Sequence, residues 1–259
     1  MSGLNIDTVP AKLHYFFPPA DGSKPYNYVV EPPAGVPRLN YTTKEYVLQI
    51  ENVRGKEDSV SLDKSGFYFG KHPVSHTSFA NDEEIKKEYY PESIELLKKL
   101  TRASKIVLFD HTVQRREAGD TPIVETNKRM PVPRVHVDQT PKAAHNRVQR
   151  HVPEEEAESL LKRRFQIINL WCPISHPALD WPLAFYGETF TVKYNPEHKW
   201  KYVRGLMPEE IILIKCYDPI EDGSVAVLTP HTAFEDPTTP ADTLPRQSIE
   251  LRALVFYDD

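Results

Sequence analysis

From Phe165 to Tyr257 the chain repeats one pattern, a short apolar run closed by a proline, a glycine or a charged turn: "FQIINLWCPI", "PLAFY", "ETFTVKYN", "KWKYVRG", "EEIILIKCYD", "SVAVLTP" and "QSIELRALVFY". Runs of this length, rich in β-branched and aromatic residues, read as strands. Placed this close together with turn residues between them, they build a sandwich or a jelly-roll barrel. The 24 prolines and 10 glycines punctuate such runs and favour many strands over long helices.

The rest of the chain adds to that core. "KLHYFF", "PYNYVV" and "EYVLQIENV" are strand candidates near the N-terminus, the first two separated by a turn-like "PPADGSK". From Asn81 to about Ser104 the pattern turns helical. Asn81 or Asp82 can cap, acidic residues fill the first turn, Pro91 can open a second helix, and Ile94, Leu97 and Leu100 recur at helical spacing. "KIVLFDHTVQRR" then reads as a strand, and "TPKAAHNRVQRHVPEEEAESLLKRR" as two short helices with Pro153 near the start of the second. The expected organisation is a single mainly β domain over 1–259. It comprises an N-terminal β extension (1–80), buttressing helices (81–104) and a jelly-roll core (105–259).

Composition narrows the partners. Net charge is −5 and pI about 6.1, with the 32 basic and 37 acidic residues interspersed. Nothing here suggests a nucleic-acid groove or an anionic membrane surface. A small-molecule substrate is expected instead, with no nucleic acid and no membrane, and a homodimer is left open. The N-terminal "MSGLNIDTVPAK" lacks a basic segment followed by an apolar one, and no apolar run approaches the roughly 18 residues that span a bilayer. A cytoplasmic protein is expected. Cys172 and Cys216 each lie inside an apolar run and read as reduced core thiols.

One stretch carries chemistry. In "RVHVDQTP", His136 and Asp138 lie two residues apart on a strand-like segment, hence on one face. A non-haem iron site uses two histidines and one carboxylate on one side of the ion and leaves the other positions open. His231 in "VLTPHTAF" fits as the third ligand, with 92 residues intervening after Asp138, at the end of a strand-like run, where a facing strand would present it. Of the ten histidines, His136 alone is followed two positions later by an acid. A His-x-Asp pair by itself is also a common surface pair. Further on, "PRQSIELRALVFYDD" places Arg246, Ser248 and Arg252 on one face of a last strand. There a guanidinium and a hydroxyl can hold the far carboxylate of a keto acid such as 2-oxoglutarate. Read plainly, the same residues are an ordinary edge strand.

Together, "RVHVDQTPKAAHNRVQRHVPEE", "RFQIINLWCPISHPALDWPLAFY", "KYNPEHKWKYVRGLMPEEIILIKCYDP" and "PHTAF…PRQSIELRALVFYDD" resemble the fungal AsaB-like hydroxylase/desaturase family, which is similar to CmcJ, the gibberellin desaturase and the endoperoxidase NvfI. The resemblance covers roughly residues 106–257. It implies a double-stranded β-helix (jelly-roll, cupin-like) core carrying Fe(II), with 2-oxoglutarate and O2 as cosubstrates. The substrate would be a small fungal secondary metabolite or amino-acid-derived molecule, hydroxylated, desaturated or otherwise oxidised through an iron(IV)-oxo. His136, Asp138 and His231 match the family's iron triad. Arg246 and Ser248 look like the Arg-x-Ser element of isopenicillin-N-synthase type enzymes, but His231 and Arg246 stand slightly further apart here, which keeps Arg252 in contention.

Other residues carry weaker signals. Gln139, directly after Asp138, can serve as the hydrogen-bond partner that a ligating carboxylate needs. Asn169 and Trp171 alternate onto one face and can line a pocket, the Asn bonding a carboxylate and the Trp closing an apolar wall. His111 and Arg115 can face the cavity or act as structural hydrogen-bonding residues, and Lys142 and His145 can stand at its mouth. Two rivals follow from the same residues: a cupin-like metal enzyme that needs no 2-oxoglutarate, and a non-catalytic accessory or binding member of the family.

Overall fold

The structure, a computed structural model, describes residues 6–28, 31–117, 131–186 and 193–258. Its strands form two sheets. The larger runs, in order of neighbours, β3 (Phe67–Lys71), β8 (Glu210–Tyr217), β5 (Phe165–Pro173), β10 (Gln247–Phe256) and β4 (Lys105–Arg115), with every pair antiparallel. The smaller runs β1 (Thr8–Phe17), β2 (Thr42–Asn52), β7 (Trp200–Tyr202), β6 (Leu183–Tyr186) and β9 (His231–Ala233), with β2 and β7 parallel. The two sheets face each other across a shared core and form the mainly β jelly roll that the strand spacing predicts.

All nine residues of β5 are buried because both faces of the larger sheet are covered, which is why its sequence is a continuous apolar run and not an alternation. Ile167 and Trp171 point inward, where they pack with Phe185, Ile212, Leu254 and Phe256. Ile168, Leu170 and Cys172 point outward and pack under Tyr89 and Leu97 of the helical segment. That segment begins where Asn81 accepts a bond from the Glu83 N–H and caps α1 (Asp82–Glu84). It passes through a π-helical turn over Ile85–Tyr89 into α2 (Tyr90–Thr101) and stops at Arg102, which adopts a left-handed φ of 60°. Two more helices follow the His-x-Asp stretch as expected. Thr140 caps α3 (Pro141–His151), and Pro153 precedes α4 (Glu154–Leu161).

The smaller sheet has a core on each side. One face joins the jelly-roll core through Phe185, and the other packs Val9, Leu13, Tyr15, Ile50, Ala184 and Trp200 together. The extended residues 134–136 close this second core. His136 bridges to His231 in β9, Arg134 bridges to His14 in β1, and Val135 between them is buried in the second core. Alternation then sends His136 out on the opposite side, toward the larger sheet.

Some expectations change. In "PYNYVV", whose Val29 and Val30 lie outside the described residues, Asn27 forms an isolated bridge to Leu39. "SVAVLTP" forms no ladder, because Ala226 N–H and Thr229 Oγ1 bond the carbonyls of Asp63 and Gly66 instead. "ETFTVKYN" falls mostly outside the described residues. The N-terminal extension is not separate from the core: β3, too short and too interrupted by Gly70 to read as a strand from sequence, forms an edge of the larger sheet. No helix among the described residues is long and apolar enough to cross a membrane.

Candidate metal centre

His136, Asp138 and His231 converge between the two sheets, each offering one ligand atom, and these atoms lie within 4.8 Å of one another. His231 does not come from a facing strand as expected. It is the hydrogen-bonded neighbour of His136, their main chains exchanging N–H···O bonds of 3.0 Å in each direction, with ring centroids 4.3 Å apart. Asp138 sits just beyond the paired residues, its Oδ1 3.5 Å from His136 Nε2 and 3.8 Å from His231 Nε2.

Each imidazole is held by the carbonyl two residues before it. His136 Nδ1 donates to the Arg134 oxygen at 2.7 Å, and His231 Nδ1 to the Thr229 oxygen at 3.0 Å. A carbonyl can only accept, so the proton is on Nδ1 and the Nε2 lone pairs are left for a metal. Burial, with His231 alongside, pushes the His136 pKa down to about 4, so this imidazole is neutral and ready to ligate at physiological pH. Burial alone would raise the Asp138 pKa, but His231, His136, Arg252 and the bond from Asn169 outweigh it and keep the carboxylate ionised. Two neutral nitrogens and one anionic oxygen are a donor set that suits divalent iron.

The inner face of the larger sheet forms the floor. Reading across β4, β10 and β5, one row holds Gln114, Ser248 and Pro173, the next Thr112, Glu250 and Trp171, and the third Asp110, Arg252 and Asn169. A cavity bounded by the triad, Gln114, Trp171, Arg246, Glu250 and Arg252 opens above these rows, with Val132 and Leu183 as apolar walls.

Arg246 is 2% exposed, and its guanidinium meets only neutral acceptors: Nη1 donates to the Trp181 carbonyl at 2.5 Å and Nη2 to Gln114 Oε1 at 2.7 Å. Among the described residues no carboxylate lies within ion-pair distance of it. Burial lowers its pKa to about 10. Its Nε and the Ser248 hydroxyl are both buried without a partner. Asp180 and Glu250 lie near enough to favour its charge, but neither bonds the guanidinium, and two orphaned donors on a buried cation fit the carboxylate of a bound acid. Trp181 presents its carbonyl from a left-handed backbone, φ 47°, a costly conformation for a bulky residue. Arg252 differs. Glu250 at 2.5 Å and Asp110 at 3.1 Å answer its charge, and Thr112 takes a further bond at 3.0 Å.

The remaining expectations divide. Asn169 and Trp171 share the inner face as predicted. The hydrogen bond on Asp138 expected of Gln139 comes instead from Asn169, Nδ2 to Oδ2 at 2.6 Å, because β5 runs beneath the carboxylate. His111 is not a cavity residue. It lies on the outer face of β4, bonded to the Tyr90 hydroxyl at 2.9 Å and to Asp82 at 3.3 Å. Arg115 bonds the Phe79 carbonyl, and His145 bonds the Pro141 carbonyl at the start of its own helix. Sequence reasoning passes over Glu250, although the period-two count that groups Arg246, Ser248 and Arg252 puts it on the same face. Cys216 reads from sequence as a plain core thiol, yet its Sγ lies 3.8 Å from Asp138 Oδ2.

Trp171 is both wall and core: it lines the cavity, is 2% exposed, and carries the Arg246 guanidinium 5.6 Å above its ring. Trp171→Ala is expected to lower unfolding free energy by about 3–5 kcal/mol. Trp171→Phe should retain most of it. Denaturant melts at matched m-values measure the difference, and a loss under about 1 kcal/mol for the alanine variant would remove Trp171 from the core.

Comparison with known proteins follows this geometry. The chain matches the oxidoreductase/YMDC permease-like domain family over residues 13–187 and 185–256. It is 32% identical to the hydroxylase/desaturase efuI of Hormonema carpetanum, with 100% of this chain and 98% of that protein covered. It is 31% identical to the alpha-ketoglutarate-dependent dioxygenase phiK of a fungal species (strain ATCC 74256), covering 96% of each. A solved structure of a variant of the iron and alpha-ketoglutarate-dependent endoperoxidase NvfI superposes with a TM-score of 0.86 over 100% of both chains at 24% identity, which establishes the shared fold.

Proposed function

We propose, given that this chain belongs to the hydroxylase/desaturase family of Fe(II)- and 2-oxoglutarate-dependent dioxygenases, that it oxidises a small-molecule substrate at the centre built by His136, Asp138 and His231. The observation that carries the reading is the convergence of two Nδ1-anchored imidazoles and one carboxylate in a buried cavity. Bound there, iron with 2-oxoglutarate and O2 supplies oxidative decarboxylation to succinate and carbon dioxide, coupled to oxidation of a C–H bond.

The chain's own residues do the rest. His136 and His231 bind through Nε2 and Asp138 through Oδ1. Arg246 and Ser248 take the distal carboxylate, Gln114 and the Trp181 carbonyl keep the guanidinium aimed, and Arg252 stays paired with Glu250. Trp171, Val132 and Leu183 exclude water from the reacting region and offer an apolar surface to the substrate's carbon skeleton. The chain acts as one domain, and the fungal sources of its hydroxylase/desaturase and dioxygenase relatives favour a fungal metabolite as its substrate. The alternative of a metal enzyme without a keto acid leaves the orphaned Arg246 Nε and Ser248 Oγ unexplained.

The test is direct. Anaerobically purified protein should bind one equivalent of Fe(II). On admission of O2 it should then convert 2-oxoglutarate to succinate, faster when the true substrate is present. Stoichiometric iron without any succinate, across a panel of metabolites from the producing organism, would favour the enzyme without a cosubstrate. Absence of iron binding would sink the metal reading altogether.

A further inference from the structure

The two oxygens of Asp138 have different surroundings. Oδ1 faces the two His Nε2 atoms. Oδ2 is turned into the larger sheet, where Asn169 Nδ2 donates to it at 2.6 Å and the Cys216 thiol approaches at 3.8 Å. Asn169 and Cys216 are 1% and 2% exposed; Asn169 projects from β5 where it is paired with both β8 and β10, so the amide cannot follow the carboxylate if it rotates, and Cys216 reaches the same oxygen from the bulge in β8. We propose that Asn169, assisted by Cys216, is the positioning residue that holds Asp138 to ligation through Oδ1 alone.

The inference rests on the metal reading above and adds a reason for it. Three protein ligands on a six-coordinate ion leave three positions, two for a keto acid and one for dioxygen. A carboxylate that ligates through both oxygens would take the last of these. A strong donor on Oδ2 competes for that oxygen's lone pairs and pins the plane of the carboxylate.

The arrangement carries a visible cost. Asn169 Oδ1 is buried without a partner, and a buried unsatisfied acceptor is rare because it forfeits its hydration. Turning the amide over would not relieve that atom, because its oxygen would then face the carboxylate, acceptor against acceptor, and the bond to Asp138 would be lost. The amide is therefore oriented for Asp138 at the expense of its own other half. The thiol plays a lesser part: Cys216 Sγ lies 3.8 Å from Oδ2 and 3.6 Å from the Ile214 carbonyl oxygen, so its one proton is shared between two acceptors.

Anaerobic titration with Co(II) alone, without 2-oxoglutarate, tests the proposal on the full chain. Asn169→Leu keeps the number and branching of the side-chain heavy atoms and removes the donor. It should weaken Co(II) binding about 10–100-fold, the range typical of a lost outer partner, and change the intensity of the cobalt d–d bands as the coordination changes. Cys216→Ala should weaken binding less, and Cys216→Ser should restore it. Melting temperatures are read alongside, because a merely structural role would move them and leave affinity per folded molecule and the spectrum unchanged. Should Asn169→Leu fail to fold, Asn169→Ser, whose hydroxyl is too short to reach, carries the same expectation. If the wild type binds Co(II) and the folded Asn169 variant binds it within twofold with an identical spectrum, the positioning role is overturned while the metal reading stands. If the wild type does not bind Co(II), the metal reading itself fails.

Discussion

Alanine at His231 is expected to abolish iron binding and turnover while leaving the fold in place. The main-chain bonds that pair residues 136 and 231 do not involve the imidazoles, so alanine keeps them. What is lost is one of three ligands. The loss should exceed the roughly 10–100-fold that a missing outer partner costs, because no other described His, Cys, Asp or Glu completes the cluster. His136→Ala and Asp138→Ala should behave alike, with one difference. Removing Asp138 leaves Asn169 Nδ2 facing an emptied site, so that variant should also lose some thermal stability. Iron content after anaerobic loading and circular dichroism melts measure both effects. Full loading in any of the three variants would strike that residue from the triad.

Which parts of this site are legible in the sequence follows from how far each contact reaches along the chain. His136 and Asp138 are two residues apart, and strand alternation alone puts them together. Arg246, Ser248 and Arg252 are grouped by the same count. His231 can be chosen by its distance and by the strand-like run before it, but that run is an unpaired segment leading into a strand of three residues. Its partner is a two-bridge stretch that closes a ring no periodicity announces. Asn169 is legible as a pocket residue and not as the partner of Asp138, since which strand runs under the carboxylate depends on the sheet order β8-β5-β10. Gln139 is favoured by its nearness in sequence, the weakest guide once the chain bends at Asp138. His111 misleads for the opposite reason: a bulge in β4 opposite Arg252 and Ala253 switches which parity faces inward, so Val107 and Phe109 join the inner core while His111 and Val113 face the helical segment, and no period-two count announces the switch.

Arg246→Ala is expected to raise the 2-oxoglutarate requirement sharply while iron still binds, and Arg252→Ala is the control that gives this meaning. Arg246 immediately precedes β10 and Arg252 lies within it, both line the cavity, and sequence alone does not rank them. Their charges decide. The guanidinium of Arg252 is answered by the carboxylates of Glu250 and Asp110, and those acids with Asp138 outweigh burial to raise its pKa. A second anion there would have to displace a partner already in place. The guanidinium of Arg246 bonds a carbonyl and an amide and lies over a tryptophan face, with burial lowering its pKa despite Asp180 and Glu250 nearby and with its Nε unpaired, so a dicarboxylate brings it the bonded anion it lacks. Losing a charge-assisted pair in such a site costs about 2–5 kcal/mol, a factor of tens to thousands in affinity. Ser248→Ala, which removes one hydroxyl donor, should cost closer to tenfold. Titrating the charge-transfer band of the anaerobic iron protein with 2-oxoglutarate reads all three. If Arg252→Ala weakens binding and Arg246→Ala does not, the anchor is Arg252, and Glu250 must then release it when the acid arrives. If neither variant changes the titration, the keto acid is held elsewhere, and the orphaned donors at Arg246 and Ser248 belong to the substrate instead.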